Sequence, residues 1–268
     1  MTASGLAVLG DGSALPGGVS GDPGAVSAAL ESDVQLLRNH TMLTPYRVAV
    51  TARDAGELAV AARAVAENAS AIFLARTEAA RARAVQQDFA RTGRVLVVTE
   101  QDTLAIGLVA AVLVILRRTE VAPLNARVVV TAPSRLPLLV PLLMAVGVAD
   151  IASWNEADAS GFPLSSVSRD ASVVVDLIGA ATGLPRVVAA REDPVAHLLA
   201  LPGLLYALGK EPIGGCAGDP MGGLDAHRAA VHALVTLTPV DRIVPDLADP
   251  DLSYRVARAV LETRKPAL

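Results

Sequence analysis

The sequence predicts an α/β protein of the doubly wound kind, a parallel sheet carrying helices on both faces. Three observations predict it. Short β-branched runs alternate with helix-forming segments from residue 46 to residue 155. Successive runs are separated by whole helices, the spacing that a right-handed crossover between parallel strands requires. Finally, 52% of the 268 residues are hydrophobic, enough to bury a core as one large unit or two smaller ones.

Taken in order, residues 1–26 are rich in Gly, Pro, Ser and Ala and read as a turn-rich lead-in with one short strand at 6–9. Gly10, Gly12, Gly17 and Gly18 do not lie between a strong strand and an immediate helix, so they read as a plain loop rather than a phosphate loop. A helix at 25–38 is followed by a strand at 46–51 and an alanine-rich amphipathic helix at 55–68. A strand at 71–74 then leads into a polar helix at 78–90.

The stretch from Arg94 to Asp150 is the centre of the pattern. Its runs at 95–98 and 127–131 are strands joined through a helix at 101–118, and they are expected to be parallel in a common sheet. The apolar segment 104–116 is too short for a membrane span, which needs roughly 20 residues, so this helix is expected to be buried on most faces. A second helix is expected at 135–146. In a doubly wound sheet the turn after Thr131 would bring a dinucleotide pyrophosphate to a helix N-terminus, and glycines there let backbone and phosphate approach. The residues present are Ala132, Pro133, Ser134, Arg135, Leu136 and Pro137. The architecture is predicted without its phosphate cradle, so no nucleotide cofactor is expected.

Beyond Trp154 the rhythm loosens through the polar segment 155–168. A strand is expected at 172–177 and a helix at 194–208, interrupted near Pro202 and Gly203. A Gly- and Pro-rich loop follows at 209–223, then a helix at 224–237, a short strand at 243–244 and a closing helix at 253–264. There is no internal repeat.

A net charge of -4 gives no electrostatic footprint for nucleic acid or an anionic membrane. No basic segment followed by an apolar core opens the chain, so no secretion signal is read and a cytoplasmic location is expected. The single cysteine, Cys216, excludes an internal disulfide and cannot make a zinc site alone. Lys210 and Lys265 are the two lysines, which leaves no catalytic lysine before residue 210.

The remaining constellations are weak. His227 and His232 are five apart on one helix and fall on different faces, so a shared metal is not expected. Asp225 and His232 share a face, as residues of a surface helix do. Cys216 has no neighbouring histidine to make it a nucleophile. Asp249, Pro250 and Asp251 read as a turn and helix N-cap. No metal site is expected.

Four short runs carry more information. Leu74, Ala75 and Arg76 end one strand, and residues 99–106 read Thr-Glu-Gln-Asp-Thr-Leu-Ala-Ile. Residues 196–203 read Ala-His-Leu-Leu-Ala-Leu-Pro-Gly, and residues 244–250 read Val-Pro-Asp-Leu-Ala-Asp-Pro. In this order they resemble the malic enzymes, particularly the shorter bacterial kind, from near Leu6 to Leu261. The family's corresponding runs are Leu-Glu-Asp, Asp-Asp-Gln-His-Gly-Thr-Ala-Ile, Asn-Asn-Val-Leu-Ala-Phe-Pro-Gly and Ile-Pro-Ser-Pro-Phe-Asp-Pro. The resemblance implies that residues 1–100 are a truncated remnant of the malic-enzyme N-terminal catalytic domain. Residues 101–268 would then be its Rossmann-like, NAD-binding-type domain.

Malic enzymes oxidise malate with NAD(P) and decarboxylate the product, with a metal cation polarising oxygens and a lysine and a tyrosine moving protons. By the resemblance, Ala75 and Arg76 stand at two metal-ligand positions and Glu100 at the third. Asn155 takes the place of the acidic residue after the next strand, and the lysine and tyrosine have no counterparts. The implied protein is a catalytically inactive malic-enzyme homologue with an interaction or regulatory role. It would carry neither metal nor NAD and work with a protein partner or as a homodimer. Arg76 and Glu100 are expected to pair where the metal would lie. One alternative keeps Arg76, Glu100 and His197 in a closed polar pocket for cofactor-independent chemistry on a small carboxylate or keto acid. Arg76 would hold the anion there, and Glu100 or His197 would serve as acid or base. A second alternative is a sensor that binds a small metabolite. An interaction protein would instead fill the cleft with side chains such as Leu104 and Leu136.

Overall fold

The computed structural model of the chain describes residues 5–15, 23–92, 95–189, 195–208 and 223–263. Its strands form two four-stranded sheets, parallel throughout. The first has the order β2-β1-β3-β4, from β1 (Gly5–Gly10), β2 (Pro45–Ala49), β3 (Ala69–Leu74) and β4 (Leu96–Thr99). The second has the order β6-β5-β7-β8, from β5 (Arg127–Thr131), β6 (Asp150–Trp154), β7 (Val173–Asp176) and β8 (Val187–Ala189). The inner strands read as unbroken apolar runs because both of their faces are covered. Ala7 to Leu9 and Val128 to Val130 are completely buried.

One expectation is corrected here. The strands of 95–98 and 127–131 do not share a sheet: β4 closes the first sheet and β5 lies inside the second. They are joined by α4 (Glu100–Arg118), whose 19 residues extend about 28 Å at 1.5 Å per residue. The helix packs against β4 of the first sheet and against β7 and β8 of the second, and so leads the chain from one sheet to the other. The termini of α4 are well made. Thr99 Oγ1 accepts a hydrogen bond from the Asp102 N–H at 3.2 Å, Glu100 and Asp102 face the positive end of the dipole, and Arg117 and Arg118 lie in the last turn.

The helix is buried nearly all round, as its composition predicts, and packs against elements of both halves. Around it lies the largest core cluster, which takes Leu6, Val8, Phe73 and Val98 from the first sheet and Val128, Val130, Val173 and Val175 from the second. The same cluster takes up the inner faces of α1 (Pro23–His40), α5 (Leu139–Ala145), α7 (Leu201–Leu208), α8 (Leu224–Leu237) and α9 (Leu252–Glu262). The opposite face of the first sheet is covered by α2 (Ala55–Ala66) and α3 (Ala79–Thr92) through Leu58, Ala62, Val85 and Phe89. A smaller cluster around Trp154 and Leu164, the latter from α6 (Leu164–Val167), covers the outer face of the second sheet.

Smaller differences follow local chemistry. The short strand read at 6–9 is β1, an inner strand flanked by β2 and β3. Residues 135–146 give a helix only from Leu139, because Ala132 turns into the left-handed region at φ 45° and Pro133–Arg135 form a 3-10 turn first. The helix of 194–208 begins only at Leu201. Ile243 and Val244 are a bend rather than a strand, and β8 has too short a run to stand out. Asp249 accepts a hydrogen bond from the Asp251 N–H at 2.9 Å, which makes the expected turn, but the Asp251 side chain does not cap α9. Gly17, Gly18, Lys210, Cys216, Lys265 and the loop before Gly223 lie outside the described residues.

Candidate functional site

The carboxyl ends of the strands in the first sheet gather the charged residues. β3 stops at Leu74, and Arg76 follows with φ 54°, a left-handed conformation that costs a non-glycine residue roughly 1–2 kcal/mol. That turn sets the backbone N–H of Arg76 2.5 Å from Glu100 Oε2 and sends the guanidinium the same way, so that Nη1 donates to Glu100 Oε1 at 3.0 Å. Glu100 is available because β4 ends at Thr99 and α4 begins with it.

A third partner closes the cluster. Nη2 of Arg76 donates to both oxygens of Asp33, at 2.8 and 2.9 Å, and His197 Nε2 lies 3.1 Å from Asp33 Oδ1. Side-chain exposure is 26% for Arg76, 14% for Glu100 and 2% for Asp33. The His197 ring stacks on Phe73 with centroids 6.4 Å apart. Gly107 lets the segment bearing His197 lie directly on α4, since a Cβ there would come within 2.8 Å of the Ala196 carbonyl oxygen. Arg76 Nε and Gln101 Oε1 are buried without partners, while Gln101 Nε2 donates to the Thr77 carbonyl at 2.5 Å.

All three residues singled out in the sequence therefore meet, and the residue joining two of them was missed. Asp33 carried a readable signal. The buried face of α1 is Val26, Leu30, Asp33, Val34 and Leu37, so a carboxylate occupies a core position in an apolar helical stripe.

A divalent cation does not fit this donor set. The guanidinium already lies between the two carboxylates, and no group of three or more His, Cys, Asp or Glu side chains able to hold a metal converges among the described residues. Leu136 is buried in the main core and Leu104 packs against it. The His227 pKa is lowered first by burial and further by the Arg83 charge, against the opposing pull of Asp102 and the Gly223 backbone. His232 and Asp225 are exposed on α8, as expected of a surface face.

The carboxyl ends of β5 and β7 are tied together by hydrogen bonds. Thr131 Oγ1 donates to Asp176 Oδ1 at 2.9 Å and accepts from the Leu177 N–H at 2.9 Å, which bridges the two strand ends. The same carboxylate accepts the N–H groups of Ile178 and Gly179 at 3.1 and 3.0 Å on Oδ1 and that of Ala181 at 2.8 Å on Oδ2. Burial works to raise the Asp176 pKa, but these hydrogen bonds outweigh it and hold the carboxyl below its usual value. A dinucleotide cradle needs backbone N–H groups facing the phosphate. Here the glycine-free turn folds its own inward, with Arg135 and Leu136 donating to Ala132 and Pro133.

The two-sheet topology has counterparts among solved structures. The malic enzyme of Pyrococcus horikoshii Ot3 superposes with a TM-score of 0.77 over 96% of this chain and 75% of its own, at 14% identity. The fold is that of the malic enzymes. The NAD-dependent malic enzyme of Thermotoga maritima matches the malic-enzyme fold of this chain with a TM-score of 0.74 over 96% and 82% of the two chains, at 18% identity. That of Entamoeba histolytica gives 0.76 over 96% and 68%, at 14% identity. A scan against protein-family models and a search of curated proteins give no match. Among the described residues no helix is long and apolar enough to cross a membrane.

Proposed function

We infer that this protein is a catalytically inactive malic-enzyme-like protein with an interaction or regulatory role, working without NAD or metal, in the cytoplasm, with a protein partner or as a homodimer. On this reading residues 1–100 correspond to the malic-enzyme catalytic domain and residues 101–268 to a Rossmann-like domain that no longer takes its nucleotide. The observation that carries it is the Thr131–Asp176 bridge. In a doubly wound sheet the ligand lies outside the carboxyl ends of the strands at the switch point, and here that position is spanned by a satisfied internal network. The exposed Tyr206 and Tyr254, on the neighbouring helices α7 and α9, are in keeping with a surface that meets another chain.

The alternative of cofactor-independent chemistry on a small carboxylate or keto acid needs a guanidinium free to hold the anion, with Glu100 or His197 as acid or base. Arg76 is committed to Asp33 and Glu100, which disfavours it. Metabolite sensing through the same cleft meets the same objection.

The test is a thermal-shift titration with NAD, NADP, their reduced forms, manganese and C3 to C5 carboxylates, with the molar mass read by light scattering. A ligand at about 100 times its dissociation constant adds roughly 2.7 kcal/mol to the folded state, an easily measured shift. No response together with a mass above that of one chain is the expected result. A shift with a nucleotide sinks the inactive-homologue reading, and one with a carboxylate alone promotes the enzyme alternative.

A further inference from the structure

We propose that the Arg76 guanidinium is a built-in substitute for a divalent cation, clamping Asp33 of α1 to Glu100 of α4 so that this edge of the first sheet closes without metal. The inference rests on the metal-independence read above and deepens it by naming the group that takes the ion's place.

Asp33, on α1, is almost wholly buried and Glu100, at the start of α4, largely so. Buried carboxylates need a cation and hydrogen bonds, or they give up their charge. His197 cannot serve both, because it reaches only Oδ1 of Asp33 and its ring is laid against Phe73. Arg76 reaches both through separate amino groups, Nη1 to Glu100 and Nη2 to both oxygens of Asp33, as the rigid fork of a guanidinium allows.

Backbone geometry points to the same residue. Arg76 holds a left-handed conformation without being glycine or asparagine, and its own N–H bonds the carboxylate that its side chain pairs with. Strain of this kind persists where the surroundings over-determine it. An oxygen-ligated Mg2+, or the similar Mn2+, would need both carboxylates within about 2.1 Å of one point, which is the space the guanidinium fills.

The test uses the full chain with Mn2+ alone and no nucleotide or acid, so that it fails independently of the functional reading. Arg76→Gly suits the backbone conformation and removes the cation together with its side-chain stem. Wild-type protein is expected to leave the electron paramagnetic resonance signal of free Mn2+ unchanged at millimolar concentration and to melt identically in EDTA and MnCl2. Arg76→Gly is expected to melt lower in EDTA, to take up one Mn2+ and to gain about 5 °C or more at saturation. Adding Glu100→Gln should abolish that gain. Were Arg76→Gly unfolded in EDTA, refolding with Mn2+ or methylguanidinium would support the clamp, and refolding with neither would overturn it. Wild-type uptake of Mn2+ lost in Glu100→Gln would overturn it as well, as would a folded Arg76→Gly with wild-type melting or no affinity for Mn2+.

Discussion

Arg76 and Asp33 are 43 residues apart in the chain, yet one guanidinium nitrogen lies within 2.9 Å of both carboxylate oxygens. Asp33→Asn keeps the shape and removes the charge, leaving Arg76 to Glu100 alone. Breaking a fully buried pair costs about 3–5 kcal/mol, and the partial exposure of Arg76 brings the expectation to about 2 kcal/mol in urea unfolding. A loss below about 0.5 kcal/mol would mean that the pair behaves like one on the surface.

Asp176 should make stability depend on acid. Its folded-state pKa is lowered, so its contribution is present in full above its unfolded value near 3.8 and fades as pH falls through the still lower folded value. Asp176→Asn is expected to lose about 1–3 kcal/mol at pH 7, since several buried donors are left poorly matched. The gap from wild type should narrow below about pH 4. A gap that stays constant down to pH 2 would remove the carboxylate from the account.

His227 acts at higher pH. Its folded-state pKa is lowered below 6.5 by burial first, so the unfolded chain binds the proton more readily. Its contribution is therefore complete above about pH 6.5 and declines as the solution is acidified toward the folded value. His227→Gln should flatten the melting temperature between pH 7 and pH 5, where the wild type falls. Equal slopes for the two proteins would refute the assignment.

Gly107→Ala tests how His197 is placed. The added Cβ meets the Ala196 carbonyl oxygen at 2.8 Å, and the clash should outweigh the better helix propensity, for a net loss of about 1–2 kcal/mol. The imidazole resonances of His197 should shift while those of His232, exposed on α8, do not. An unmoved His197 signal would show that the segment yields elsewhere.

Most strands and helices were legible because their periods are strong: Val128 to Val130 and the apolar stretch of α4 could hardly be read otherwise. Sheet membership was not legible. A strand–helix–strand run looks the same whether the helix folds back or carries the chain onward, and only the packing around α4 decides. At the site, Arg76, Glu100 and His197 were named through a family resemblance, whereas Asp33 had to be found by its place on an apolar stripe. The Thr131–Asp176 bridge had no signal, since a threonine and an aspartate ending two strands 45 residues apart carry no pattern.

α4 has a further consequence. Because the largest cluster is lined by both sheets with this helix through its middle, the two sheets share the main interior and keep only smaller clusters on their outer faces. A chain divided beside residue 100 would give one fragment without its filling and another with a greasy rod exposed. The whole should therefore come apart in one calorimetric step, a single cooperative unit in spite of its two sheets. Sequence change at the rim of such a molecule can be absorbed residue by residue, but its centre can only be kept or lost as a piece.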